Sequence, residues 1–300
     1  MNGAIEIKRI MPNEDKFPQK LKDFVRDLNP LYYIGDLSLL ERPTVAVVGS
    51  RACSQYGKAV ALEIGRRASA YGVQVISGLA RGIDTSGHMG ALEGGGKTIA
   101  VVANGLDVYY PQENRKLQKK IEKEGLVISE YPAGETAKKW YFPTRNRLIS
   151  ALSDAVIVVE ANTRSGSLIT AECAIEQGKE VYAVPGSIFS QNSLGTNKLI
   201  SIGAMPLVYV DEVFQDMIKR GIIGENRDYE GSEEMKKLGK MEKGVISVLK
   251  NHGEIAIDEL AKRLKISISE LNGVVSVLEI KGLVFCEMGK VMIAKSYYFM

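Results

Sequence analysis

Three hundred residues with 45% hydrophobic and 25% charged side chains describe an ordinary soluble globular chain, long enough for one large domain or two modest ones. Thirty-nine basic against 36 acidic residues leave a net charge of only +3, which excludes a general polyanion sponge, so any nucleic-acid contact must come from local clustering. The three cysteines (Cys53, Cys173, Cys286) are far apart and odd in number, which excludes a disulfide framework and a ligand-spaced zinc site, and no apolar run approaches a membrane span. A cytoplasmic protein with no metal, cofactor or membrane partner is the expectation.

In chain order, residues 1–40 are charge-balanced and read as a leader packed onto the sheet domain. From Thr44 onward, apolar runs alternate with amphipathic segments. TVAVVG, VQVIS, TIAVV, LVIS, AVIVVE, EVYAV and PLVYV read as buried parallel strands, rich in Val and Ile and lacking clean alternation. Helices are expected between them, at Gly57 to Tyr71, Asn114 to Lys123, Gly166 to Gln177 and Asp211 to Arg220. This alternation over residues 41–220 predicts an α/β fold, a doubly wound and mostly parallel sheet whose ligands sit at the C-terminal ends of the strands. Residues 221–240 are polar, Gly-containing and acidic, as a linker would be. Residues 241–300 then read as a helix (Lys243 to Lys250), a helix-turn-helix (Ile257 to Leu264, Ser269 to Lys281) and a hairpin turning at Met288-Gly289. That order predicts a small winged-helix domain.

The strand ends carry the candidate chemistry. Gly49-Ser50-Arg51 lets the backbone approach a phosphate before a helix N-terminus, and Arg51 points into the cleft mouth. The pattern is not GxGxxG, and the second strand ends in Ser77-Gly78 rather than an acidic residue, so a nicotinamide enzyme is disfavoured. Ser77-Gly78-Leu79-Ala80-Arg81-Gly82-Ile83-Asp84 repeats the theme, with Asp84 as the expected helix cap and His88 as a structural hydrogen-bonding residue. Tyr109-Tyr110-Pro111 reads as a rigid turn. Trp140-Tyr141-Phe142 form an aromatic cluster, and Phe142-Pro143-Thr144 reads as an extended approach ending in a cap, followed by Arg145, Asn146 and Arg147 in a first helical turn. Cations there oppose the helix dipole, a conflict that marks function. Ser165-Gly166-Ser167 opens a further helix as a phosphate cradle. Flat rings beside arginines and helix N-termini suit single-stranded nucleic acid better than a small metabolite.

Taken together these turns closely resemble the DNA-processing protein A (Smf/DprA) family. The resemblance also rests on Gly105-Leu106-Asp107, Asn114, Ser129-Glu130-Tyr131-Pro132, Val159-Glu160-Ala161, Ala183-Val184-Pro185-Gly186, Gly195-Thr196-Asn197 and Gly203-Ala204. It implies an extended Rossmann-like domain that binds single-stranded DNA, forms a homodimer and hands the strand to the RecA recombinase in natural transformation. It implies no enzymatic activity. By position it places Arg51, Phe142, Arg145, Asn146 and Arg147 in the DNA groove, with Ser165 to Ser167 close by. Many members carry a helical N-terminal domain, for which some forty residues are too few here. Leu199, Ile200, Met205, Val213, Phe214 and Ile218 are the apolar candidates for a dimer interface.

Two other functions compete. Ser165 to Glu172 is loosely similar to the Gly-rich loop of nucleoside-monophosphate phosphoribohydrolases, in which Glu172 would stabilise an oxocarbenium-like centre. A transcription regulator would need a basic recognition helix. SISELNGVVSVLEIK instead turns Glu270, Asn272, Ser276 and Glu279 outward, which favours a protein contact or a weak auxiliary role.

Overall fold

The computed structural model describes residues 6–224, 238–281, 283–287 and 289–293. The chain divides into two compact units at residues 225/226. In chain order the first unit comprises Lys8–Ile10 (β1), Gln19–Phe24 (α1), Leu31–Gly35 (β2), Thr44–Val48 (β3), Gln55–Ala70 (α2), Gln74–Ser77 (β4), Ile83–Glu93 (α3), Thr98–Val101 (β5), Arg115–Glu124 (α4) and Leu126–Ser129 (β6). Tyr141–Leu152 (α5), Ala155–Val158 (β7), Gly166–Glu176 (α6), Glu180–Ala183 (β8), Leu194–Ser201 (α7), Met205–Pro206 (β9) and Asp211–Lys219 (α8) complete it.

The strands form one sheet in the order β1-β2-β6-β5-β4-β3-β7-β8-β9. From β6 to β9 all pairings are parallel, and β2 alone runs against the other strands, pairing antiparallel with both β6 and β1. Every residue of β3, β4, β5, β6 and β7 is buried, because helices cover both faces. Ala46, Val48, Ile76, Val156 and Val158 pack with Leu21 of α1 and Leu148, Ile149 and Leu152 of α5. Ala100, Val102 and Val127 pack with Ile121 of α4 on the opposite face. This is the α/β, doubly wound Rossmann-like sheet that the alternation predicts.

Two elements depart from expectation. The leading segment is not merely packed on the sheet. β2 pairs with β6 and β1 with β2, so residues 8–35 extend the sheet itself. PLVYV is hardly a strand: Met205 and Pro206 pair with β8, and the chain then turns into α8. Glu212 Oε2 accepts from the N–H groups of Val208 (3.1 Å) and Tyr209 (3.2 Å), and this local cap outcompetes a longer edge strand.

The connection from β6 to β7 crosses β5, β4 and β3, and α5 makes that crossing. Its N-terminus therefore stands at the C-terminal ends of the central strands. Its other end is fixed by Lys179, whose Nζ donates to the carbonyls of Ser150 (2.7 Å), Ala151 (2.5 Å) and Ser153 (2.6 Å). A cation at a helix C-terminus satisfies the last carbonyls and suits the dipole.

The second unit holds Lys240–His252 (α9), Ile255–Ala256 (β10), Ile257–Leu264 (α10), Ile268–Ile280 (α11), Val284–Glu287 (β11) and Lys290–Ile293 (β12). Its antiparallel sheet runs β10-β12-β11 over a core that includes Leu249, Leu260, Leu271, Leu278 and Val291. Helices and hairpin follow in winged-helix order. At the hairpin turn, Gly289 has φ +76°, while Met288 lies outside the described residues, as does most of the 221–240 segment. Glu270, Asn272, Ser276 and Glu279 are all exposed on α11. Glu270 closes a capping box with Ser267, and Lys281 at the helix end pairs with Glu242 at 2.7 Å. The outward face of this helix thus offers no cation to a duplex phosphate.

Candidate nucleic-acid interface

Four segments converge on the C-terminal rim of the sheet: the loops after β3, β4 and β5, and the start of α5. Arg51, Gly78, Arg81, Asn104, Tyr110 and Phe142 line an open pocket there. The Arg51 guanidinium lies over the Phe142 ring at 4.7 Å from its centroid, and Tyr110 stands against the same ring at 5.6 Å. A cation stacked on an aromatic face offers N–H donors to a phosphate and flat surfaces to a base.

The loop that presents Arg51 is held by one buried carboxylate. Glu160, just beyond β7, accepts from the Ser54 N–H at 2.8 Å and the Ser54 hydroxyl at 2.5 Å, while its own carbonyl accepts from the Ser50 N–H at 2.7 Å. Ser54 in turn caps α2 by accepting from the Gly57 N–H at 3.0 Å. A Cβ at Gly57 would come within 2.6 Å of the Glu160 carboxyl carbon, so glycine there lets the helix approach that group. Arg81, in the next loop, is exposed and pairs with Glu113 at 2.5 Å. An exposed pair of this kind is worth little, and an incoming phosphate can compete with Glu113 for it. The Asn114 amide fixes the Arg81 loop by donating to the carbonyls of Leu79 (2.8 Å) and Ala80 (3.3 Å).

Beneath the pocket lies a buried polar layer. Arg145 is 4% exposed; its guanidinium donates to the Val101 carbonyl and fills the space against Gly78, where a Cβ would collide with it. Asp84, also buried, accepts from the N–H groups of Gly78 (3.1 Å) and Ala80 (3.3 Å). Burial pushes the Asp84 carboxyl up, against the pull of Arg145 and these donors. Burial likewise pushes Arg145 down, to about 10, while Asp84 opposes it.

His88 lies in the same layer, fully buried, with Nδ1 2.7 Å from Thr98 Oγ1. That hydroxyl spends its proton on the Val75 carbonyl at 2.7 Å, so His88 Nδ1 is the donor. Burial, helped by the Arg145 charge, lowers its pKa from 6.5 to about 3. A depressed histidine stabilises the fold fully above the unfolded pKa, and that contribution is lost as pH falls from 6.5 toward 3. Between pH 7 and pH 5 the wild type should therefore lose about 2 kcal/mol that a His88→Gln variant does not. Urea titrations of both proteins at the two pH values check this, and equal losses would refute it.

The expected site residues thus divide. Arg51, Gly78, Arg81 and Phe142 meet at the pocket, beside Gly49 and Ser50 of the same turn. Ser77 is buried, its hydroxyl donating to the Val47 carbonyl at 2.6 Å. Arg145 stands under the pocket floor rather than in an open groove. Asn146 is buried too and donates to the Gly166 carbonyl at 3.0 Å, tying α5 to α6. Arg147 is taken up by Glu130 at 2.7 Å. Ser165 caps α6, with its hydroxyl 2.7 Å from that of Ser167, which is buried; Gly166 is exposed between them.

Two local expectations are corrected by the structure. α5 begins at Tyr141, not after Thr144, because proline is tolerated in a first turn where its missing N–H has no partner to lose. Arg145 is then a full turn inside the helix, and the dipole conflict does not arise. Asp84 is the second residue of α3 behind Gly82, whose φ of +78° requires glycine, and its carboxylate organises the preceding loop. Tyr110 is the pocket residue that sequence reasoning passed over as part of a turn; its signal was a tyrosine pair beside a proline in the loop after β5. Among the described residues no group of three or more His, Cys, Asp or Glu is placed to hold a metal, and no helix is long and apolar enough to cross a membrane.

Sheet, rim and winged helix define a Rossmann-like protein with a cationic, ring-lined surface at its strand ends. Residues 8–218 match the family of DNA recombination-mediator protein A, and the chain belongs to that family. It is 50% identical over 191 residues to the DNA processing protein DprA of Streptococcus pneumoniae, covering 64% of this chain and 67% of that one. The X-ray structure of DNA processing protein A from the same species superposes with a TM-score of 0.67 at 45% identity, over 70% of this chain and 74% of that one. DNA processing protein A from Helicobacter pylori, whose structure describes a single-stranded DNA binding mode, superposes at 0.65 and 30% identity, over 72% and 97%.

Proposed function

We propose that the rim binds single-stranded DNA, protects it, and delivers it to a RecA-type recombinase, without catalysing a reaction itself. The observation that carries this reading is the Arg51–Phe142 stack beside Tyr110, with Arg81 in the same pocket. It joins phosphate donors to ring faces at the edge where parallel sheets take their ligands. The single-strand binding described for the Helicobacter relative supports the same choice of ligand. Glu172 is exposed on α6 and lines neither the rim pocket nor the groove between α2 and α3, so the hydrolase reading gains no support. A homodimer fits the family. Leu199, Val213 and Phe214 are core residues and cannot form its interface, whereas Ile202 and Val208 are 66% and 60% exposed in the same region. The winged helix is assigned a protein contact, on its uncharged and acidic outer face.

Trp140 is the chain's one tryptophan, 67% exposed at the start of α5. Titration with oligo-dT should change its fluorescence, and the binding constant should fall with salt at a log–log slope of about −0.7 per neutralised phosphate. The matching duplex should bind more weakly. A slope near zero, or equal affinity for duplex and single strand, would sink this reading.

A further inference from the structure

The loop after β8 carries Ile188 and Phe189 at its tip, 73% and 92% exposed. An apolar ring this open is unusual for a segment that is otherwise well tied. Phe189 N–H donates to the Ser187 hydroxyl at 3.2 Å and Ser190 N–H to the Ser187 carbonyl at 3.0 Å. The Gly186 backbone and the Asn197 amide exchange two hydrogen bonds, at 3.2 and 2.9 Å. Asn192, just after the loop, accepts at its carbonyl from Ala161 N–H at 2.7 Å and donates from its amide to the Ala52 carbonyl at 3.1 Å. Ala52 is the residue after Arg51. The loop that exposes Phe189 is therefore fastened to the loop that presents Arg51.

Both loops lie on the same rim, because β8 runs parallel to β7 and β7 to β3. Two strand spacings separate them, roughly 10 Å. Between them, in the loop after β7, Arg164 is exposed. Along the rim the order is thus Phe142 and Tyr110, then Arg51, then Arg164, then Phe189. Rings mark the ends and cations the middle, as an extended strand with a charged backbone and flat bases would require.

We propose that Phe189 is a second base-stacking position on the rim, taking another nucleobase of the strand held at Phe142 and Arg51. The proposal rests on the single-strand reading above. It is tested by fluorescence anisotropy with a dT dodecamer and an abasic deoxyribose-phosphate dodecamer, on wild type, Phe189→Ser, Phe189→Trp and Arg51→Glu. Phe189→Ser should weaken the dT dodecamer by about 5- to 100-fold and leave the abasic strand unchanged, Phe189→Trp should restore binding, and sedimentation should show the same oligomer throughout. Equal affinities of Phe189→Ser and wild type for dT would overturn it, as would the same loss on both strands or a changed oligomer. In those cases loss of binding in Arg51→Glu would still uphold the rim. A wild type that binds neither strand would remove the single-strand reading itself.

Discussion

Arg51→Glu should lower the affinity for oligo-dT by about 10- to 100-fold, the range expected when a charge-assisted contact is lost and its sign reversed. The side chain sits on the Phe142 ring, makes no salt bridge among the described residues and acts on the buried Asp84 only through its charge, so the substitution removes a ligand group without dismantling the loop. That loop is held through Ser50, Ala52 and Ser54, by backbone and hydroxyl contacts that the variant keeps. The salt dependence should become shallower by about 0.7 in log–log slope, one neutralised phosphate fewer. Phe142→Ala should cost about 1–3 kcal/mol of binding with the slope unchanged, because stacking releases no counterions. Anisotropy titrations at three salt concentrations separate the two. If Arg51→Glu leaves both affinity and slope at wild-type values, the strand does not pass this pocket.

Arg145→Met should behave in the opposite way, as a loss of fold rather than of contact. Arg145 is 4% exposed, donates to the Val101 carbonyl and balances the buried Asp84. Arg145 and Asp84 feel each other's charge across the buried layer, and removing the guanidinium takes a buried donor from the Val101 carbonyl and the countering charge from Asp84, at about 1–3 kcal/mol. Urea denaturation should show that loss, and adding Asp84→Asn should recover part of it, since the neutral amide no longer needs a counter-charge. A variant as stable as wild type but weak in DNA binding would move Arg145 from the floor to the ligand surface.

That contrast shows what was legible in the residues alone. The central strands were, because Val45, Val75, Ile99, Val127 and Val156 are buried and such runs have few other structures available. The glycine-arginine turns at Arg51 and Arg81 were legible for a related reason: a cation after a strand-end glycine has nowhere to go but the rim. FPTRNR was misread in its geometry. The fate of Arg145 depends on Val101 and Asp84, both more than forty positions away, and no local pattern encodes such partners. Pro143 looked like the end of an extended approach because proline halts helices more often than it sits in their first turn. PLVYV failed likewise, since its strand-like composition met a helix cap supplied by Glu212.

Glu160 has a consequence for how a ligand would be received. Its carboxylate and carbonyl join the turn after β3 to the end of β7, and Asn192 links both to the loop after β8. Three loops that could each wander are fastened as a single plate. A polymer that lands on such a plate orders itself but finds the receiving side chains already in register, so little of the attraction is consumed in arranging the protein. The entropy lost on association would then belong almost wholly to the strand, and preorganisation rather than contact area would let so small a pocket hold a flexible chain.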